Sequence, residues 1–228
     1  DLPHQLWLVD IEIPVGEYEY KAVLTGTFDE PVGGAGAAEW PNIQLNLETD
    51  TTVTFIYNDK THYLADNINT IFANVPGNFN AEIGCPDTAF DDSGNPGDWA
   101  PDCWQTLLED QDRDGVYTYI ATAIPPGDYE AKVAVGGSWG ENYGDNGAPG
   151  GANIGFSVVK PDAPVTFEWD SETKIMKITA AGAPKGNLKQ QAAYWVAKDT
   201  ILTPEDSANR FELYYSPDGS LEIGRAHV

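Results

Sequence analysis

An all-β chain built from tandem immunoglobulin-like sandwich modules is what this sequence predicts. Three observations carry the prediction. Apolar and polar side chains alternate with a period of two, as in Tyr18-Glu19-Tyr20-Lys21-Ala22 and Tyr129-Glu130-Ala131-Lys132-Val133, which puts one set on a core face. Gly 23 and Pro 16 punctuate the chain into short segments, as turns between strands require. The segment beginning Ile13-Pro14-Val15-Gly16-Glu17-Tyr18-Glu19-Tyr20-Lys21 recurs as Ile124-Pro125-Pro126-Gly127-Asp128-Tyr129-Glu130-Ala131-Lys132.

The repeat sets the domain organisation. The offset that carries Pro14 onto Pro125 holds without a gap through Gly26/Gly137, Glu30/Glu141, Gly33/Gly144 and Asn42-Ile43/Asn153-Ile154. One inserted residue later, Val53-Thr54-Phe55 matches Val165-Thr166-Phe167. A period this long does not fit a solenoid, so each copy is expected to be a domain with its own core. Asp1 corresponds to residue 112 and the second copy begins near Asn74, which leaves 38 positions (112 − 74) of the second copy without a counterpart in the first. We therefore expect an N-terminally truncated first module at 1–73 and a complete second module at 74–184.

Individual elements follow from local signals. Pro125-Pro126-Gly127-Asp128 announces a turn ahead of a strand. Val165–Trp169 and Lys174–Ile178 flank Asp170-Ser171-Glu172-Thr173 and read as a hairpin. No long amphipathic helix is expected in 1–184. Ala183-Pro184-Lys185-Gly186-Asn187 reads as a linker. Beyond it, residues 185–222 read as the start of a third β domain, with strands near Tyr194–Ile201 and from Phe211. The tail Ile223-Gly224-Arg225-Ala226-His227-Val228 resembles a translated sequencing adapter, so 223–228 is expected to be non-native; the other reading is an ordinary polar tail.

Charge narrows the function. Twelve Lys and Arg stand against 36 Asp and Glu, a net charge of −24. Such a surface repels phosphate backbones and anionic bilayers, which argues against nucleic acid and membrane as partners. It tolerates a neutral ligand such as a glycan. No apolar run approaches the roughly 20 residues a membrane helix needs.

Cys85 and Cys103 flank a stretch rich in Gly, Asp and Pro and do not form a CxxC pair. A disulfide would staple that stretch in an exported protein; two buried free thiols are the alternative.

Several segments together carry a resemblance. Pro76-Gly77-Asn78-Phe79-Asn80-Ala81-Glu82-Ile83-Gly84-Cys85, with Asp98-Trp99-Ala100-Pro101-Asp102-Cys103, resembles the start of the pullulanase N2-type module. Gly137-Ser138-Trp139-Gly140-Glu141-Asn142-Tyr143-Gly144 and Gly150-Gly151-Ala152-Asn153-Ile154 resemble the same family. Asp199-Thr200-Ile201 with Tyr214-Tyr215-Ser216-Pro217-Asp218-Gly219 is similar to the short β domain that often follows it. The first copy departs from the motif, with Phe28 in place of the Trp and Val32 in place of the Tyr. The resemblance implies a non-catalytic part of a secreted or cell-surface protein of the α-amylase superfamily. It implies binding or spacing on α-glucan (starch, amylopectin, pullulan) upstream of a catalytic debranching domain in the same parent chain.

A glycan site needs flat rings for sugar C–H faces and polar groups for hydroxyls. Trp139, Glu141, Asn142 and Tyr143 offer that mix on a Gly-rich loop, and Trp99 adds a ring next to Cys103; the alternative is that Trp139 and Trp99 are packing residues. Trp169 reads as core, while Trp40 lies in a Gly/Ala loop. Asp110, Asp112 and Asp114 open like an EF-hand loop, which would suit calcium. The closing position, however, is Ala121 rather than a bidentate Glu, and a β-turn is the simpler reading.

No cofactor is otherwise expected. His4, His62 and His227 are isolated, and no triad or metal-ligand spacing appears. An α-amylase-type barrel takes about 250 residues of βα alternation, which this sequence lacks. The competing functions are a purely structural spacer, a β-sandwich glycosidase using two close carboxylates, and a calcium-dependent surface adhesion module.

Overall fold

The computed structural model describes residues 6–23, 31–33, 42–87 and 96–181, together with the backbone of two strands at 211–215 and 221–225. Phe28, Trp40, the linker at Ala183–Asn187 and the strand near 194–201 lie outside the described residues. Every regular element that is described is a strand or a single 3-10 turn.

The first copy contributes β1 (Leu6–Ile13), β2 (Gly16–Tyr20), β3 (Ala22–Val23), β4 (Pro31–Val32), β5 (Ile43–Leu47), β6 (Thr51–Asn58) and β7 (Tyr63–Asp66). Strands β1, β6 and β7 form one antiparallel sheet in the order β1-β6-β7, and β2 pairs with β5. In β5 the burial alternates strictly, with Ile43, Leu45 and Leu47 inward and Gln44 and Asn46 outward, the pattern expected of a strand with one wet face. Leu45, Leu47 and Val53 make the core between the two sheets, sealed by Ile13, Tyr20 and Phe55.

The second copy contains β8 (Ala73–Asn74), β9 (Leu107–Leu108), β10 (Val116–Ala121), β11 (Gly127–Ala131), β12 (Val133–Val135), β13 (Glu141–Tyr143), β14 (Ile154–Val158), β15 (Val165–Asp170) and β16 (Met176–Ala180). One layer is the sheet β10-β15-β16; the other is made by β11-β14 and by β13-β12-β8-β9. The hairpin expected around Asp170–Thr173 is β15–β16, with Trp169 opposite Met176. Phe79, Phe156 and Phe167 meet between the layers: Phe79 stacks on Phe167 at 5.4 Å, and Phe156 meets Phe167 edge-on at 5.5 Å. Ala73, the first residue of β8, is fully buried in this core.

Strand pairing follows the sequence repeat. Gly16 faces Leu47 and Tyr18 faces Leu45 across β2–β5; Gly127 faces Val158 and Tyr129 faces Phe156 across β11–β14, so these matched pairs keep one register in both copies. The β1–β6 pair is displaced by one residue. Val53 faces Ile11, whereas its counterpart Val165 faces Ala121, the counterpart of Asp10. A one-residue slip exchanges the two faces of a strand. It puts Trp7 opposite Tyr57, where the second copy has Tyr117 opposite Trp169.

Further along, β17 (Phe211–Tyr215) and β18 (Leu221–Arg225) pair antiparallel.

Candidate functional site

The turn between β12 and β13 carries the Gly-Ser-Trp-Gly motif. Gly136 and Gly137 both take positive φ, +67° and +66°, a conformation that other residues adopt only with strain. A Cβ on Gly137 would also press to 3.1 Å from the ring of Trp104, so this glycine lets the turn lie directly on that indole. Trp139 follows, half-buried, and its ring lies 6.5 Å from that of Trp99 at an angle of 41°.

Trp99 comes from a different part of the chain, and the disulfide helps to bring it there. Cys85 and Cys103 are bonded, with their Cα atoms 5.7 Å apart. The segment between them returns alongside Cys85, and Gly97 at φ +93° passes so close to the Cys85 carbonyl that no side chain fits there. Ala81 donates its N–H to Asp98 Oδ1 at 3.0 Å. Trp99 itself has φ +54°, and its N–H donates to the Gly77 carbonyl at 2.9 Å. Left-handed backbone at a bulky residue is rare and persists only where the surroundings enforce it.

The five residues expected to contact glycan fall into two groups. Trp99, Trp139 and Asn142 belong together. Asn142 Nδ2 donates to the Trp139 carbonyl at 2.9 Å, while its Oδ1 is buried and has no hydrogen-bond partner among the described residues. Glu141 and Tyr143 lie two residues apart in β13 and share the opposite face of that strand. The Tyr143 hydroxyl donates to Glu141 Oε1 at 2.7 Å, and that hydrogen bond to a carboxylate raises its pKa. The Tyr143 ring stacks on buried Trp169 at 6.2 Å, and Lys174 Nζ sits 5.5 Å from it. The Glu-Asn-Tyr segment is therefore a strand rather than the exposed loop that its glycines suggest.

Asp110, Asp112 and Asp114 do converge, with carboxylate oxygens within 4.8 Å of one another. The two oxygens of Asp110 accept the N–H groups of Asp114 and Gly115, both at 3.1 Å, and Asp114 accepts from Val116 N–H at 2.8 Å. These bonds close a turn into β10. Burial pushes the Asp110 carboxyl up from its ordinary value, against the pull of these N–H donors.

Sequence reasoning missed Glu109. It is buried where the two copies meet. Asn58 Nδ2 and Thr61 Oγ1 donate to its Oε1 at 2.6 and 2.9 Å, and Gln111 Nε2 donates to its Oε2 at 3.1 Å. Burial raises its pKa against those donors. Nothing local marks it, since Asn58 and Thr61 belong to the other copy and are remote in sequence.

Comparison with known proteins places this geometry. A family model described as the pullulanase X25 domain matches residues 1–64 and 72–176. An amylopullulanase of Thermoanaerobacterium thermosulfurigenes is 35% identical over 168 residues, covering 71% of this chain and 8% of that protein. The amylopullulanase of Thermoanaerobacter thermohydrosulfuricus is 33% identical over 169 residues, covering 71% of the chain and 10% of that protein. The one from Thermoanaerobacterium saccharolyticum is 34% identical over 168 residues, covering 71% and 12%. Among solved structures, pullulanase from Bacillus acidopullulyticus aligns with a TM-score of 0.37 and 25% identity, covering 48% of this chain and 11% of that one. The chain thus spans about a tenth of the length of the curated relatives it matches. With most of its length matched by one family model, the chain belongs to the pullulanase X25 domain family.

Proposed function

We propose that this chain is a non-catalytic, α-glucan-binding part of a secreted starch-debranching enzyme, and that Trp99 and Trp139 are its contact surface. The observation that carries the reading is the placement of Trp99. A disulfide-closed segment holds it in left-handed backbone against a second indole presented by a two-glycine turn. At 6.5 Å and 41° the rings form one angled surface, on which successive sugars of a curved glucan can stack. Asn142 Nδ2 holds the Trp139 carbonyl at 2.9 Å and so steadies the turn that presents this ring. A neutral polysaccharide suits a surface of net charge −24, and the disulfide suits an extracellular setting. Catalysis belongs in this reading to another domain of the parent chain. Modules of this kind raise the local concentration of polymer at that domain.

Native affinity electrophoresis in amylopectin tests the proposal. Retardation of the full chain should be lost in Trp139→Ala and in Trp99→Ala, with far-UV dichroism unchanged. Trp7→Ala, which alters an exposed indole of the first copy, should be retarded like the parent. If both site variants migrate as the parent does, the aromatic pair is packing and the modules are spacers.

A further inference from the structure

The outer face of the β6–β7 pair is where the two copies diverge in chemistry. In the first copy Ile56 faces Ala65 across the pair. At the corresponding repeat positions the second copy has Glu168 facing Lys177. Glu168 and Lys177 form a solvent-exposed ion pair at 3.2 Å, whereas Ile56 is fully buried and Ala65 nearly so. Tyr63 is 3% exposed; its counterpart Ile175 is 46% exposed. Asn58 reaches out to Glu109, but its counterpart Asp170 turns back to accept the N–H groups of Glu172 and Thr173 in its own hairpin.

What covers the first copy's face is Phe72, just ahead of the expected start of the second copy, together with Leu107 and Trp104 of that copy. Leu6, Ile56, Tyr63 and Ala65 form one buried cluster with Phe72 and Leu107, edged by Trp104. Asn58, Thr61 and Gln111 close its rim around Glu109. Phe72 and Trp104 meet edge-on at 6.2 Å. The apolar residues in one copy therefore coincide with the positions that touch the other, while the same positions in the second copy, exposed among the described residues, carry a charged pair.

We propose that the outer face of β6–β7 is a docking surface dedicated to the following repeat. It joins residues 6–66 and 71–181 into one cooperative body in place of two independent modules. A sheet face that presented Ile, Tyr and Ala to water would be an aggregation liability. Seated on Phe72 and Leu107, it instead gives the first copy a second core that its own strands do not supply.

Thermal unfolding of the full chain tests this, followed by calorimetry and near-UV dichroism. The parent should show one transition spanning both copies, with a midpoint independent of protein concentration. Giving the first copy the second copy's residues, Ile56→Glu with Ala65→Lys, should split it, the first copy melting earlier. The mirror exchange, Glu168→Ile with Lys177→Ala, should leave one transition. Ile56→Glu can unfold the first copy by itself, so a milder cycle accompanies it. Asn58→Asp should lower the midpoint by setting a carboxylate against Glu109, and adding Glu109→Gln should restore at least half of that loss. Two transitions in the parent, or strictly additive effects in the cycle, would overturn the proposal. A midpoint that rises with concentration would overturn it too, because the face would then be seating another chain.

Discussion

The same repeat positions are packed very differently in the two copies. Phe167 is fully buried between Phe79, Tyr119 and Phe156. Its counterpart Phe55 is only half-buried, touching Tyr20 edge-on at 4.9 Å. Tyr117 is 4% exposed, while Trp7, in the same place in its sheet, is 63% exposed. The second copy owes its closed core largely to the segment from Ala73 to Leu108, which delivers Val75, Phe79 and Leu108 between its layers. Among the described residues, the buried members of the first copy's core cluster are aliphatic, Leu45, Leu47 and Val53, with no fully buried ring like Phe79. Strand pattern alone therefore makes a sheet, and closure of a sandwich depends on what is laid between the sheets.

The sharpest way to break that comparison is to truncate the matched phenylalanines. Phe167→Ala should cost about 3–5 kcal/mol, the usual figure for a fully buried ring, and Phe55→Ala clearly less. Urea midpoints at a common slope would measure both. Equal losses would show that the first copy is as tightly closed as the second.

Removing the staple comes next in size. Cys85→Ser with Cys103→Ser opens a loop with a sequence separation of 18, worth about 3 kcal/mol in the chain-entropy account. The loss should fall on the second copy, and protection of Trp99 should fall with it. Proteolysis mapped by mass spectrometry would locate the new cuts; cuts confined to residues 6–66 would contradict the assignment.

Much of this is legible in the sequence, for identifiable reasons. Period-two alternation in β11 and the Asp170–Thr173 turn are each visible in short stretches of chain, and each appears where expected. In β2, by contrast, Tyr18 is exposed although alternation placed it on the core face. A Gly- and Asp-rich loop needs a staple, and the disulfide expected there is present. Less visible is the split of Glu141 and Tyr143 from Trp139. It depends on the register of β12 with β13, with Ala134 opposite Asn142, and a three-residue strand carries too little pattern to reveal its pairing. The one-residue slip of β1 on β6 and the role of Glu109 are hidden for a related reason. Both depend on partners remote in sequence.

Glu109 provides a subtler probe, through pH. Burial raises its pKa in the folded protein above the ordinary value of 4.5. A raised carboxylate pKa means that the folded state favours the neutral acid. Stability from this group is present below its unfolded pKa and is lost as pH rises through its folded one. Lys60 pulls the pKa down, while Tyr63 and Asp110 lie close by. All three remain in Glu109→Gln, so the difference between variant and parent isolates this group. The midpoint of Glu109→Gln relative to the parent should therefore climb between pH 4 and pH 7. A flat difference would mean that the donors Asn58, Thr61 and Gln111 fully offset the burial.

The smallest expected effect tests the open side of the first copy. Trp7, Val9 and Ile11 lie on one face of β1 with exposures of 63%, 52% and 45%. In the second copy the matching face carries Tyr117, whose hydroxyl accepts from the Ile71 N–H at 3.1 Å and whose ring packs on Trp169 at 5.5 Å. A side chain already in water gives up little when shortened, so Trp7→Ser should change stability by no more than about 0.5 kcal/mol. Removing the largest apolar ring from an exposed strand should also reduce self-association. The equivalent change at the packed position, Tyr117→Ser, should cost several times more, because it opens a cavity beside Trp169 and orphans the Ile71 N–H. Equilibrium unfolding of the two variants, with sedimentation velocity for association, reads both effects. A loss above about 1 kcal/mol for Trp7→Ser would show that this face is covered in solution. The openness of the first copy would then belong to this stretch of chain alone, and not to the protein in its working assembly.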